Sequence, residues 1–181
     1  LFFSTAAPEG GHYRSMVTIG AALQRRGNKV WIVSADGPGI RLAVEAGLET
    51  LVLPSKPYKS IEFNWKDYKP LRNIIAQHRP DVAHSFANGI PALLVACNKL
   101  GVRVTATICG GKARRIMPRI FPVIVFSEEL RLNMIKFGIA EADVHLIPGR
   151  MDLRPPLRDS EVERFLEDVG ISYHTNPIVF M

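Results

Sequence analysis

The chain has 181 residues, of which 47% are apolar and 22% charged. That suits one α/β-sized soluble domain with a substantial core and excludes a disordered or fibrous chain. Its longest apolar runs, "IPALLVAC" and "FPVIVF", fall far short of the ~20 residues of a membrane-spanning helix. The net charge of +6 points to an anionic partner: nucleic acid, a membrane surface or a phosphorylated substrate.

In chain order, "LFFS" reads as a first strand, opening without an initiator methionine, so a residue or two is expected to precede it. Residues 13–26 place Met16, Ile19 and Leu23 on one helical face, with Gly27 as the stop. "KVWIVSA" is a second strand, "GIRLAVEAGL" a short helix and "ETLVLP" a third strand. After a basic, aromatic connector, "WKDYKPLRNIIAQH" is a helix halted by Pro80, and "DVAHSF" a fourth strand. "GIPALLVACNKL" is a helix with Pro91 in its first turn and Gly101 after its end. "VRVTATI" and "PVIVFS" are the fifth and sixth strands. Ser127 then caps a helix with Glu128 and Glu129 in its first turn, where the dipole favours acids. "DVHLIP" is a seventh strand, "DSEVERFLEDVG" a last helix, and "NPIVFM" the beginning of another strand. This alternation predicts a Rossmann-like, doubly wound parallel sheet of about seven strands with helices on both faces. Ligands of such a sheet bind at the carboxyl ends of its strands.

The candidate residues stand at those ends. "APEGGHYRS" joins the first strand to the first helix; its Gly10 and Gly11 let a ligand approach the backbone, and a helix start attracts anions. A tight turn without a ligand explains the same pair. The dinucleotide pattern G-x-G-x-x-G fails after Gly11, and no Walker A sequence occurs. Asp36 reads equally as a ribose-binding acid and as a turn residue before Gly37. His84 and Ser85 end the fourth strand, and His84 on its own reads more readily as a hydrogen-bonded core histidine. Cys109-Gly110-Gly111 follows the fifth strand, with Lys112, Arg114, Arg115 and Arg119 beyond it. Scattered cysteines and histidines give no zinc spacing, and the G-x-S-x-G elbow of serine hydrolases is absent. Cys97, in an apolar helix, reads as a small core residue, and two cysteines make no disulfide framework, so a reducing cytoplasm is the expected compartment. The connector mixes Lys56, Lys59, Lys66, Lys69 and Arg72 with Tyr58, Phe63, Trp65 and Tyr68. Cations among aromatics suit a membrane interface, a phosphorylated lipid or single-stranded nucleic acid, and a solvated loop is the plain alternative.

Taken in order, five motifs resemble the N-terminal domain of a glycosyltransferase of the GT-B fold, family 4. They are "PEGGHYRS", "RPDVAHSF" before a helix of small residues, "TATICGG" where the family has T-x-H-G, "VIVFSEELRLNMIKFG", and "IPGRMDL" where the family has IPNGVDL. The resemblance spans nearly the whole chain. It implies an acceptor-side domain over 1–153, a helix and interdomain linker over 154–176, and the start of a donor-binding domain at 177–181. It also implies sugar transfer from a nucleotide-sugar, retaining and independent of metal or other cofactor, by a protein of which this chain is about half and inactive alone. Gly10 and Gly11 then face the donor's phosphates and sugar, while His12, Arg14, His84, Ser85, Gly110, Lys112 and Arg114 lie on the acceptor side. Lys59, Trp65, Lys66, Lys69 and Arg72 form the patch offered to an anionic membrane, with a glycan or lipid-linked acceptor of the cell envelope. The expected place is the cytoplasm, on the inner face of the membrane. The sequence departs from the family twice: Cys109 stands at the histidine position, where a thiol is a poorer hydrogen-bond donor than imidazole, and Gly149-Arg150 replaces Asn-Gly. Two rivals stay open, a GT-B-type sugar-nucleotide epimerase and a non-catalytic module binding phosphorylated ligands or nucleic acid.

Overall fold

A computed structural model describes residues 1–5, 10–54, 65–86, 89–109, 122–148, 159–168 and 170, with backbone alone at 65–67, 159, 161–162 and 165–166. The chain divides into two compact units, Leu1–Gly149 and Arg150–Met181. In the first, seven strands form one sheet: β1 (Phe2–Ser4), β2 (Trp31–Ala35), β3 (Glu49–Leu53), β4 (Val82–Phe86), β5 (Arg103–Ile108), β6 (Val123–Val125) and β7 (Val144–Leu146). Their order is β3-β2-β1-β4-β5-β6-β7, and every pair is parallel. The expected Rossmann-like sheet is therefore the one observed, with its switch of direction between β1 and β4.

Among the described residues five α-helices join the strands: α1 (Gly11–Arg25), α2 (Ile40–Glu45), α3 (Trp65–His78), α4 (Ile90–Cys97) and α5 (Glu128–Phe137). Strand alternation sorts them onto two faces. Phe2, Ile32 and Phe86 point to one face and pack with Tyr13, Met16 and Val17 of α1 and Ala43 of α2. Phe3, Val33 and Ala83 point to the other and pack with Leu71 and Ile75 of α3 and with Ala92, Leu93 and Ala96 of α4. A third cluster joins Ala106, Ile108, Val123, Val125 and Val144 to Met134 of α5. The buried stripe of α1 runs through Tyr13, Met16, Val17 and Gly20, while Ile19 and Leu23, expected at its centre, pack at its margin. A methyl group at Gly20 would stand 3.1 Å from Leu48 and 3.4 Å from Val30, so glycine there lets α1 lie close to the sheet.

Ser127 caps α5 as expected, its Oγ accepting from the Leu130 N–H at 3.2 Å, and Gly138 ends the helix at φ 104. Cys97 is buried in the core, and burial pushes its thiol up to about 11. In the second unit the described element is α6 (Asp159–Asp168). Residues 176–181, expected as a strand, lie outside the described residues. No described helix is long and apolar enough to cross a membrane.

Candidate functional site

The strand directions bring Gly10, Gly11 and His12 after β1, Asp36 after β2, Cys109 after β5 and Ser127 after β6 to one carboxyl edge of the sheet. Gly10 is the N-cap of α1 in extended conformation (φ −73, ψ 171), with no side-chain cap and no acid in the helix's first turn. Its carbonyl accepts from the Tyr13 and Arg14 N–H groups, each at 3.1 Å. A Cβ built on Gly10 or Gly11 meets no heavy atom within 4 Å, and neither residue has a positive φ. Among the described residues neither crowding nor backbone strain explains this pair.

The adjoining residues divide into anchors and exposed groups. Tyr13, unremarked in the sequence, is fully buried and stands 3.4 Å from Ser34 Oγ of β2, which ties the first turn of α1 to the sheet. Its signal was the spacing of three residues before Met16. His12 is half-buried, and burial lowers its pKa from the ordinary value, so it is neutral at pH 7 and holds one donor and one acceptor nitrogen. Arg14 is exposed on α1. The Asp36 side chain accepts from the Gly37 N–H at 2.8 Å, the turn role.

His84 and Ser85, expected on the acceptor side, have their side chains buried beneath the edge, and for His84 this agrees with the core-histidine reading. β4 runs on to Phe86, so both side chains point into the two cores beneath the edge. His84 is buried, with Nδ1 2.6 Å from Thr105 Oγ1, Nε2 2.8 Å from Thr107 Oγ1, and its ring edge-on to Phe2 and Phe86. Burial lowers its pKa to about 4, and the neutral ring serves as a rung between β4 and β5. Ser85 is fully buried on the other face, and its Oγ has no hydrogen-bond partner. It lies beneath Gly89, where an added Cβ would overlap the Phe3 ring and stand 3.2 Å from Ser85 Oγ. Gly89, missed as a site-forming residue, sets how closely α4 approaches β1.

Cys109 is exposed directly after β5. Gly110, Lys112, Arg114 and Lys59 lie outside the described residues, and Trp65 and Lys66 are placed only by the backbone of α3. Lys69 is exposed, whereas the Arg72 guanidinium donates to the Ala96 and Asn98 carbonyls at 3.2 and 2.7 Å and so anchors α3 to the end of α4. Among the described residues no group of three or more His, Cys, Asp or Glu side chains is placed to hold a metal ion.

An all-parallel sheet reversing between β1 and β4, with glycines at that switch, defines a Rossmann-like domain. The sequence profile of Glycosyltransferase Family 4 matches residues 9–154, and the chain belongs to that family. Among solved structures it is similar to a glycosyltransferase from Rickettsia africae ESF-5, with TM-score 0.75 and 16% identity over 94% of this chain and 48% of that one. It is also similar to Anabaena HepE in complex with UDP and glucose, with TM-score 0.71 and 16% identity over 93% of this chain and 49% of that one. The UDP-GlcNAc 2-epimerase of Methanocaldococcus jannaschii follows with TM-score 0.58 and 15% identity over 81% of this chain and 45% of that one. No curated protein matches the sequence. The chain spans about half the length of these solved relatives.

Proposed function

We propose that this chain is the acceptor-side domain of a glycosyltransferase that moves a sugar from a nucleotide-sugar to a glycan or lipid-linked acceptor of the cell envelope. The observation that carries the reading is the open glycine pair at the switch point, in a chain of this family. Backbone without side chains at Gly10 and Gly11 admits a diphosphate to the start of α1, where the helix dipole favours negative charge. HepE, of like fold, was solved with UDP and glucose, which supports a uridine-nucleotide donor. His12, neutral and in the first turn of α1, offers a hydrogen bond to sugar or acceptor without placing a cation on the positive helix end. Cys109 holds the position of the family histidine and contributes shape more than hydrogen bonding. Retention of configuration, with the donor's own phosphate taking the acceptor's proton, and independence of metal belong to the same reading. So do Gly110, Lys112 and Arg114 as acceptor-side groups, a membrane patch built on the connector with Lys59, Lys66 and Lys69, and inactivity of residues 1–181 alone.

The second reading, a sugar-nucleotide epimerase, is favoured by likeness to the archaeal 2-epimerase, though its TM-score of 0.58 is below 0.75 and 0.71. Incubating the parent protein with UDP-glucose and UDP-GlcNAc, with and without a membrane-glycan extract, separates the two. Release of UDP only when the extract is present supports transfer. Conversion of UDP-GlcNAc with no acceptor establishes the epimerase, and binding of RNA with indifference to both nucleotide-sugars abolishes the enzymatic reading.

A further inference from the structure

The buried polar side chains of the first unit gather under one edge of the sheet. Among the described residues they are Ser4, Ser34, His84, Ser85 and Thr107. Each is at the middle of its strand or beyond it, towards the carboxyl edge that carries the glycine pair. Nearer the amino edge, the buried residues of the same strands are hydrophobic: Phe2, Trp31, Ile32 and Ala83. Burying a polar group costs free energy unless it is bonded, so stability alone does not favour a polar layer there.

His84 organises the β4–β5 part of that layer. Thr105 is its partner across the ladder, and Thr107, paired with Phe86, is the last β5 residue in register with β4. The ring meets both hydroxyls, at 2.6 Å from Nδ1 and 2.8 Å from Nε2. It therefore reaches from the residue opposite to the end of the ladder. Two residues further on is Cys109, exposed where the chain leaves β5. A neutral imidazole donates at one nitrogen and accepts at the other, so one threonine accepts and the other donates. The Phe2 and Phe86 rings, both edge-on, hold the imidazole in its plane. On the β1–β2 side the Tyr13 hydroxyl, 3.4 Å from Ser34 Oγ, ties the first turn of α1 in the same way.

We propose that His84 is a positioning residue: through Thr107 it fixes where the chain leaves β5, and so the place of Cys109 relative to the glycine pair. The proposal rests on the sugar-transfer reading for the site that it serves. A buried network with every partner satisfied selects one arrangement over its neighbours. In a reacting site a displacement of ~1 Å can cost about a hundredfold in rate. A purely stabilising histidine makes a different prediction, because its two threonines would then matter through stability alone.

The test uses Thr107→Val, Thr105→Val and His84→Phe in the parent protein. Valine keeps the shape of threonine, and phenylalanine keeps a ring between Phe2 and Phe86. Two readouts are taken well below each variant's Tm. One is alkylation of Cys109 by iodoacetamide, followed by mass spectrometry of its peptide, with the buried Cys97 as the check on unfolding. The other is kcat/KM for UDP-glucose or UDP-GlcNAc, whichever the parent turns over in the transfer assay. Thr107→Val and His84→Phe should speed Cys109 alkylation about threefold, as a loosened strand end opens more often. They should also lower kcat/KM at least about tenfold. Thr105→Val loses one bond of the same ring and some Tm, but should move neither readout more than about twofold. Equal effects of the two valine variants, Cys109 alkylation unchanged by Thr107→Val, or losses of kcat/KM that merely follow Tm each overturn the proposal. If the parent turns over neither nucleotide-sugar, the sugar-transfer reading fails, and the alkylation contrast between the valine variants still decides the role of His84.

Discussion

The two arms of the switch point carry similar residues put to different uses. After β1 come Gly10, Gly11 and His12; within and after β4 come His84, Ser85 and Gly89. On the β4 arm the glycine is demanded by the Phe3 ring, the histidine is bonded at both nitrogens, and the serine is sealed in the core. On the β1 arm a Cβ at either glycine meets nothing among the described residues, and the histidine is half-buried. Glycine and histidine at a strand end thus mark a ligand site only where the protein's own packing fails to account for them.

The sharpest way to break that contrast is at Gly89. Gly89→Ala drives a methyl group into Phe3, and a loss of ~3 kcal/mol is expected, the upper range for an overpacked core. Urea unfolding measures it, and the double variant Gly89→Ala/Phe3→Leu should recover more than half, as contacting residues couple. A loss below about 0.5 kcal/mol, within the usual surface range, would mean that α4 shifts freely, and Gly89 would join the β1 arm.

His84 gives the next effect, through pH. Its folded pKa of about 4 is below the ordinary 6.5, so between those values the unfolded chain binds a proton that the folded chain refuses. The stability from this group is complete above pH 6.5 and is lost as pH falls towards 4, by at most ~3.5 kcal/mol at ~1.4 kcal/mol per unit. His84→Asn should flatten the stability profile of the chain across that window. An unchanged slope would mean that the ring is not held neutral by burial.

Much of this was legible beforehand, and what was not has a common cause. The strand and helix periods specify all seven strands and the helices between them, since those patterns are local. The Ser127 cap and the acids behind it are local too. His84 reads from the sequence as a core histidine and is one; that Ser85 is sealed beneath Gly89 is not legible there, because it depends on how α4 packs over β4. Gly89 reads as an ordinary residue before a proline-started helix; its reason is Phe3, at the other end of the unit. Local chemistry names the residues, and non-local packing decides which of them remain free to act.

Gly11→Ala is the smallest change in stability and the most informative about function. Gly11 opens α1 with open space beside it, and alanine is the better helix former, so stability should hold or rise by a few tenths of a kcal/mol. If the pair admits a donor diphosphate, the same methyl group stands where the ligand approaches, and sugar transfer by the parent protein should fall at least about tenfold, ~1.4 kcal/mol of lost transition-state stabilisation. The two readouts move apart only if the glycine serves a ligand. A fall in both would make Gly11 a packing residue like Gly89. No change in either would leave the β1 arm without a reason for its glycines, and the donor-side reading of the site would go with it.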